Sequence, residues 1–280
     1  MQERYNAGLI SQSFWFVEMK KVIKLIDDGK SEEEIKKMCI EAATILPQDV
    51  EKALSQKHDE EDSLLAKKTL QVLIDNANLA REKQMPICQD TGMAFVYVTM
   101  GQEVHITGGS LKEAIQEGIR QGYIEGYLRK SVVSDPILRE NTKDNTPGVI
   151  HYEIVAGENI EITVAPKGFG SENMSRVCML KPADGIEGVK NAVIETVKIA
   201  GPNACPPVVV GVGVGGTFEK CAILAKKALT RDLNTHNEIS YVADLEKELL
   251  EKINELEIGP GGLGGKMTAL GVNVEVYPTH

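Results

Sequence analysis

The chain has 280 residues, 42% hydrophobic and 26% charged, with a net charge of −10, which is long enough to bury a sizeable core in an ordinary soluble globular composition. The acidic surplus argues against binding nucleic-acid phosphates or an anionic membrane surface. No apolar run reaches the roughly 18–20 residues of a membrane span.

Five cysteines (Cys39, Cys88, Cys178, Cys205, Cys221) are odd in number, widely spaced and without a CxxC pair. They form no disulfide framework and point to a reducing, cytoplasmic home. The opening LISQSFWFV is too short and polar for a signal peptide and reads as a short helix or an arm against a partner. Met19 makes a plausible alternative start, so residues 1–18 read as an extension and residues 19–280 as one domain.

Residues 20–82 read as helices. SEEEIKKMCIEAATIL opens with Ser31 and has Glu34 three residues on, a capping-box pattern ahead of Ile35, Met38, Cys39 and Ala42 at helical spacing. Cys39 therefore belongs to an apolar face. PQDVEKALSQKHDEED and SLLAKKTLQVLIDNANLAREKQ carry further helical stripes with charged outer sides, His58 among them.

At Met85 the texture changes. AFVYVTM and EVHIT, separated by Gly101, read as a hairpin, with His105 alternating inside a strand. SLKEAIQEGIRQGYIEGYL is helical, with three glycines that weaken it or permit close packing. GVIHYEIVAGENIEITVAPKG reads as a second hairpin turning near Gly157–Asn159. A helix (GIEGVKNAVIETVKIAG), a strand-to-helix stretch from CPPVVVGVGVGG, another helix (DLEKELLEKINELEIG) and a last strand in MTALGVNVEVYPTH complete the chain. Helices first, then interleaved strands and helices, give a mixed α/β (α+β) fold.

Two glycine motifs invite a nucleotide reading. GVGVGG, with Gly211, Gly213 and Gly216, matches G-x-G-x-x-G between a strand-like and a helix-like run. The second apolar strand ending in an acid, which a dinucleotide fold needs, is replaced by the polar TRDLNTHNEIS. What survives is that the glycines let the backbone approach something closely. GPGGLGGKMT fails as a phosphate loop, with Pro260 at its first glycine position and Met267 where Ser or Thr is required.

Four stretches could carry chemistry. In PICQDTG, Cys88, Gln89, Asp90 and Thr91 either make a tight turn or face a substrate. Cys205, in GPNACPP, also lies in stiff irregular backbone, where ligands and nucleophiles are common; Cys178 and Cys221 read as packing. APKGFGSENMS is a polar glycine turn whose plain reading is a loop. In GYLRKSVV, Arg129 and Lys130 at a helix end suit the dipole with no function at all.

Taken in order, PICQDTG, YLRKSVVSDP, NTPGVIHYEIV, APKGFGSENMSR, MLKPADG, GPNACPPVVVGVGVGGTFEKCAILAKKAL and GPGGLGGKMTALGVNVEVYPTH resemble the α subunit of two-subunit class I fumarate hydratases and the similar L(+)-tartrate dehydratase α subunit. The resemblance runs from about residue 20 to the end. It implies a hydro-lyase that interconverts fumarate and L-malate, or alternatively dehydrates L(+)-tartrate, through an oxygen-sensitive [4Fe–4S] cluster held by three cysteines with one iron open as a Lewis acid.

By the same resemblance Cys88 and Cys205 are cluster ligands, and the third cysteine is expected about a dozen residues beyond His280. Either the sequence is a piece of a longer one or this protein holds no normal cluster alone, and its last strand is then expected to be loosely tethered. Asp90 is implied as the acid/base toward the leaving hydroxyl. Gln89, Arg129, Gly170 and His280 are implied as contacts to the substrate, a small dicarboxylate, with His280 also counted as catalytic. A partner β subunit, in an α2β2 assembly, is implied to supply the base at carbon. Rival readings are a nucleotide-binding protein built on Gly211–Gly216 and a non-catalytic interaction subunit.

Overall fold

The computed structural model describes residues 5–14, 19–23 and 28–280, with side chains from residue 31 onward. Helices are α1 (Asp28–Thr44), α2 (Gln48–Glu60), α3 (Leu64–Lys83), α4 (Leu111–Glu125), the single turn α5 (Phe169–Glu172), α6 (Gly185–Ala200), α7 (Phe218–Ala228) and α8 (Ser240–Asn254). Strands are β1 (Tyr5–Phe14), β2 (Met19–Ile23), β3 (Met93–Gly101), β4 (Val149–Val155), β5 (Ile160–Lys167), β6 (Arg176–Leu180), β7 (Val208–Gly215) and β8 (Gly271–Tyr277). Helices and strands are interspersed along the chain as a mixed α/β fold. Among the described residues no helix is long and apolar enough to cross a membrane.

The chain divides into two compact units, one of residues 1–14, 48–75 and 170–280, the other of residues 15–47 and 76–169. In the second unit the sheet order is β2-β5-β3-β4. Even-numbered residues Ala94, Val96 and Val98 of β3 and Ile160, Ile162 and Val164 of β5 are buried with Ile35, Met38 and Cys39 of α1 and Ile115, Ile119 and Tyr123 of α4. Burial of each such aliphatic side chain contributes about 1.5–3 kcal/mol. The apolar stripe of α1 is thus core, and full burial pushes the Cys39 thiol up to about 12.

The glycines of α4 serve close packing. A Cβ at Gly118 would meet Ile35 Cβ at 2.6 Å, one at Gly122 would meet Cys39 Cβ at 2.8 Å, and one at Gly126 would meet Ile40 Cγ1 at 2.7 Å. Spaced four apart, they form one smooth face against α1.

Several local expectations change. The opening segment, expected as a short helix or an arm against a partner, is a strand over Tyr5–Phe14, hydrogen-bonded between β6 and β7; Trp15 lies outside the described residues. Residues 19–23 are also strand, paired with β5, because an open sheet edge outcompetes a weak helical stripe. Helix α1 begins at Asp28, so Ser31 falls within its first turn and not at its cap, and Ser31 Oγ has no partner among the described residues.

Neither expected hairpin forms. EVHIT is not a strand, and β3 lies between β4 and β5, parallel to the first and antiparallel to the second. The most apolar run takes the central position, where both neighbours cover it. Gly101 allows the crossing, since a Cβ there would meet Gly157 O at 2.2 Å.

In the first unit the order is β6-β1-β7-β8. Strand β8 is well held, against the expectation of a loose end: Val272 and Val274 are buried, β8 pairs in parallel with β7, and side chains cap Val274 on its outer edge. Val274 N–H donates to the buried Glu246 carboxylate at 2.8 Å, and Asn237 Nδ2 donates to Val274 O at 2.9 Å. Arg231 binds Glu275 at 2.6 Å and also binds Glu246.

Both glycine motifs find protein partners. Gly211 and Gly213 share one face of β7, where a Cβ would meet Ala225 O and Cys221 O of α7, each at 2.2 Å. What they approach closely is a helix. In GPGGLGGKMT the backbone N–H groups of Lys266 and Met267 donate to Glu61 Oε2 at 2.8 and 3.4 Å, while those of Asp62 and Ser63 donate to Oε1. The anion in that loop is the protein's own Glu61, 4% exposed.

Candidate functional site

PICQDTG forms the irregular approach to β3, pinned on both sides. Ile87 N–H donates to Ala43 O at 2.9 Å, and Asn76 Nδ2 donates to Ile87 O at 2.8 Å. At the far end Gly92, with φ +63°, sits so close to Lys167 that a Cβ would meet its carbonyl oxygen at 2.0 Å. Only glycine suits that position.

Between these anchors the polar residues have defined roles. Asp90 N–H donates to Cys88 Sγ at 3.4 Å, and the Cys88 thiol donates to Gln89 Oε1 at 3.6 Å. Asp90 is held through both carboxylate oxygens: Gly92 N–H donates to Oδ1 at 3.1 Å and Phe169 N–H to Oδ2 at 2.9 Å. Cys88 is half-buried. Burial raises its thiol pKa, opposed by the Asp90 N–H and by the Arg129 charge.

Thr91 points the other way, into the unit. Its hydroxyl donates to Arg129 O at 3.3 Å and accepts from Arg129 N–H at 2.9 Å, and its carbonyl accepts from the buried Tyr123 Oη at 2.8 Å. Arg129 lies three residues beyond the α4 cap at Gly126. Its backbone is tied to the Cys88–Gly92 loop and its side chain is exposed.

Asn145 completes the lock. Fully buried, it accepts from Ser131 N–H and Val132 N–H at 2.8 and 3.0 Å and donates to Gly92 O at 2.8 Å. Sequence reasoning passed over Asn145 and Tyr123. The available signal for the first was a polar asparagine before Thr-Pro; Tyr123, on an apolar helical face, offered none.

Gly170, Cys205 and His280 belong to the first unit, whereas Cys88, Gln89, Asp90 and Arg129 belong to the second. At Gly170 a Cβ would meet only Asn203 O, at 3.7 Å, so the backbone there is open to close approach. Cys205 is exposed, after a short 3₁₀ turn at Gly201–Asn203. His280 is exposed at the end of a segment fastened by Gly216 N–H to Pro278 O at 3.2 Å and by Thr279 Oγ1 to Gly216 O at 3.0 Å. Cys221 is buried as expected, while Cys178 on β6 is only half-buried.

Cys88 and Cys205, soft sulfur donors on stiff irregular backbone, are of the chemistry that binds iron in clusters. They supply two thiols, and among the described residues no group of three or more His, Cys, Asp or Glu side chains is gathered for a metal ion.

A family model described as fumarate hydratase (Fumerase) matches residues 32–280; a second, described as BrxA, matches residues 3–58. A Methanocaldococcus jannaschii protein, provisionally named L(+)-tartrate dehydratase subunit alpha, is 45% identical over 246 residues, covering 86% of each chain. The L(+)-tartrate dehydratase subunit alpha of Escherichia coli strain K12 is 34% identical over 244 residues, covering 85% of this chain and 79% of its own.

Proposed function

The chain belongs to the fumarate hydratase (Fumerase) family, and from that premise we propose that it is the α subunit of a hydro-lyase adding water to, or removing it from, a C4 dicarboxylate. Fumarate and L-malate are the first reading. L(+)-tartrate is the second, favoured by the names of both relatives. Those names, each a subunit alpha, also support a β partner, here in an α2β2 assembly. Five widely spaced cysteines without a CxxC pair suit a cytoplasmic setting.

The observation that carries the reading is the double anchorage of Asp90 beside a half-buried thiol. Backbone N–H groups occupy one acceptor position on each carboxylate oxygen, leaving the second position on each for a proton in transit. A carboxyl group so fixed is suited to give a proton to a departing hydroxyl and to take one back in hydration. Arg129 offers a planar fork for one substrate carboxylate. Gln89 offers an amide, and Gly170 a backbone N–H with no side chain in the way. His280 is assigned to the substrate as well.

Cys88 and Cys205 would hold a [4Fe–4S] cluster as thiolates, with a third thiolate expected beyond His280. When bound, such a cluster with an open iron supplies Lewis-acid polarisation of the substrate hydroxyl and carboxylate. The base at carbon is assigned to the β partner, so this chain alone is expected to be inactive.

The test is anaerobic reconstitution of the chain, with and without its β partner, followed by assays on fumarate, L-malate and L(+)-tartrate. Turnover of one of these only in the paired state supports the proposal. Inactivity of the paired, iron-loaded protein on all three would overturn it.

A further inference from the structure

The sheet edges of this protein are treated unequally. On the β8 edge Val274 is capped by Glu246 and Asn237, and the sequence of the edge strand β2, MKKVI, has two lysines, a residue type that discourages edge pairing. Strand β4, the other edge of its sheet, has neither lysine nor proline in VIHYEIV. Its second half is exposed, with Tyr152 at 48%, Ile154 at 68% and Val155 at 38%.

Two of these residues lie on the wrong side for solvent. Register pairs Ile150, Tyr152 and Ile154 with Val96, Val98 and Met100 of β3, the face that packs on α1 and α4. The apolar face therefore continues onto β4 past the helices that cover the rest.

The sequence of β4 supplies the clue to what covers it. VIHYEIV reads nearly the same in both directions about Tyr152. In an antiparallel pairing of two such strands centred there, Val149 faces Val155, Ile150 faces Ile154, and Tyr152 faces itself. The only departure from the palindrome is His151 opposite Glu153, an imidazole beside a carboxylate. His151 already stacks on Tyr97, centroids 5.4 Å apart, which holds its ring on that face.

The backbone agrees. Gln102 N–H donates to Val155 O at 2.8 Å, so the odd-numbered residues of β4 direct their peptide groups toward β3. Ile150, Tyr152 and Ile154 then direct theirs outward, in the alternation a strand requires.

We infer that β4 is the contact between two copies of this chain, pairing antiparallel with its own equivalent about a two-fold axis at Tyr152. The two four-stranded sheets join into one through about six new backbone hydrogen bonds. Tyr152 and Ile154 of both copies become covered, and His151 of each meets Glu153 of the other in the closely spaced, non-hydrogen-bonded pairs. Such an isologous contact is what a self-complementary edge produces. The inference does not rest on the reaction proposed above.

Sedimentation equilibrium of the full chain at micromolar concentration, with three variants, tests it. The wild type should be a dimer. Ile154→Pro removes an outward N–H without costing a bond to β3 and should be a folded monomer, its fold checked by circular dichroism. Tyr152→Cys should cross-link to itself under copper–phenanthroline, because facing Cα atoms in such a pair are about 5.5 Å apart. Ile154→Cys should not, since its equivalent lies about 14 Å along the strand. A monomeric wild type would overturn the inference, as would an Ile154→Pro dimer. So would a Tyr152→Cys chain that cross-links no better than Ile154→Cys, or that cross-links to a co-expressed β subunit.

Discussion

A carboxylate gripped through both oxygens cannot swing, and at Asp90 that restraint comes from backbone alone, through Gly92 and Phe169. Around it, Thr91 and Asn145 turn a loop into a fixed frame by tying the Arg129–Val132 segment to it. Asn145→Ala would strand two N–H donors and the Gly92 carbonyl in a buried place. It should lower stability by about 2–4 kcal/mol in urea unfolding and raise KM as Arg129 loses its position. Gly170→Ala should separate the two effects, leaving stability near wild type because a Cβ has room, while raising KM in the assembled enzyme. Glu61→Ala leaves four N–H groups without their acceptor and should cost about 3–5 kcal/mol, whereas Glu61→Gln should cost less. Both are read from the same unfolding curves. The polar residues of PICQDTG were conspicuous in the sequence because a thiol, an amide and an acid interrupt apolar texture. Asn145 and Glu61 were not, because their partners lie far along the chain and only the fold reveals them.

Among the elements, helices were legible where a long apolar stripe repeats, as in α1, α3 and α8. The glycines of α4 left two readings open, weakness or close packing, and Ile35, Cys39 and Ile40 select the second. Gly118→Ala should force α1 and α4 apart and lower the midpoint of thermal unfolding, at a cost of about 1–3 kcal/mol. Gly109→Ala, with nothing within 4 Å of its Cβ, is the matched control and should be close to neutral. Strand pairing was less legible. β3, β4 and β5 each carry a strand pattern, but short-range pattern cannot tell a hairpin from a strand inserted between two others. That choice is made by burial across the sheet. β1 and β2 were missed for a related reason: their pairing is with distant strands, and local propensity did not declare it.

For the whole molecule, motif order carried the family from the sequence, and the match over residues 32–280 places the chain in it. What the sequence could not supply was the division into two units, because no linker composition marks it. Nor did it show that Gly211, Gly213 and the GPGGLGGKMT loop serve helix packing and Glu61, since glycine spacing alone does not distinguish a phosphate from a peptide as the close neighbour. We propose that Asp90 moves a proton in a hydration reaction. The most direct measurement of that role is kcat on fumarate and on L(+)-tartrate for Asp90→Asn against wild type, both assembled anaerobically with the β subunit and matched for iron content. A loss of about 10²–10⁴-fold in kcat with iron retained is expected; turnover within a few-fold of wild type at equal iron would rule out that role for Asp90.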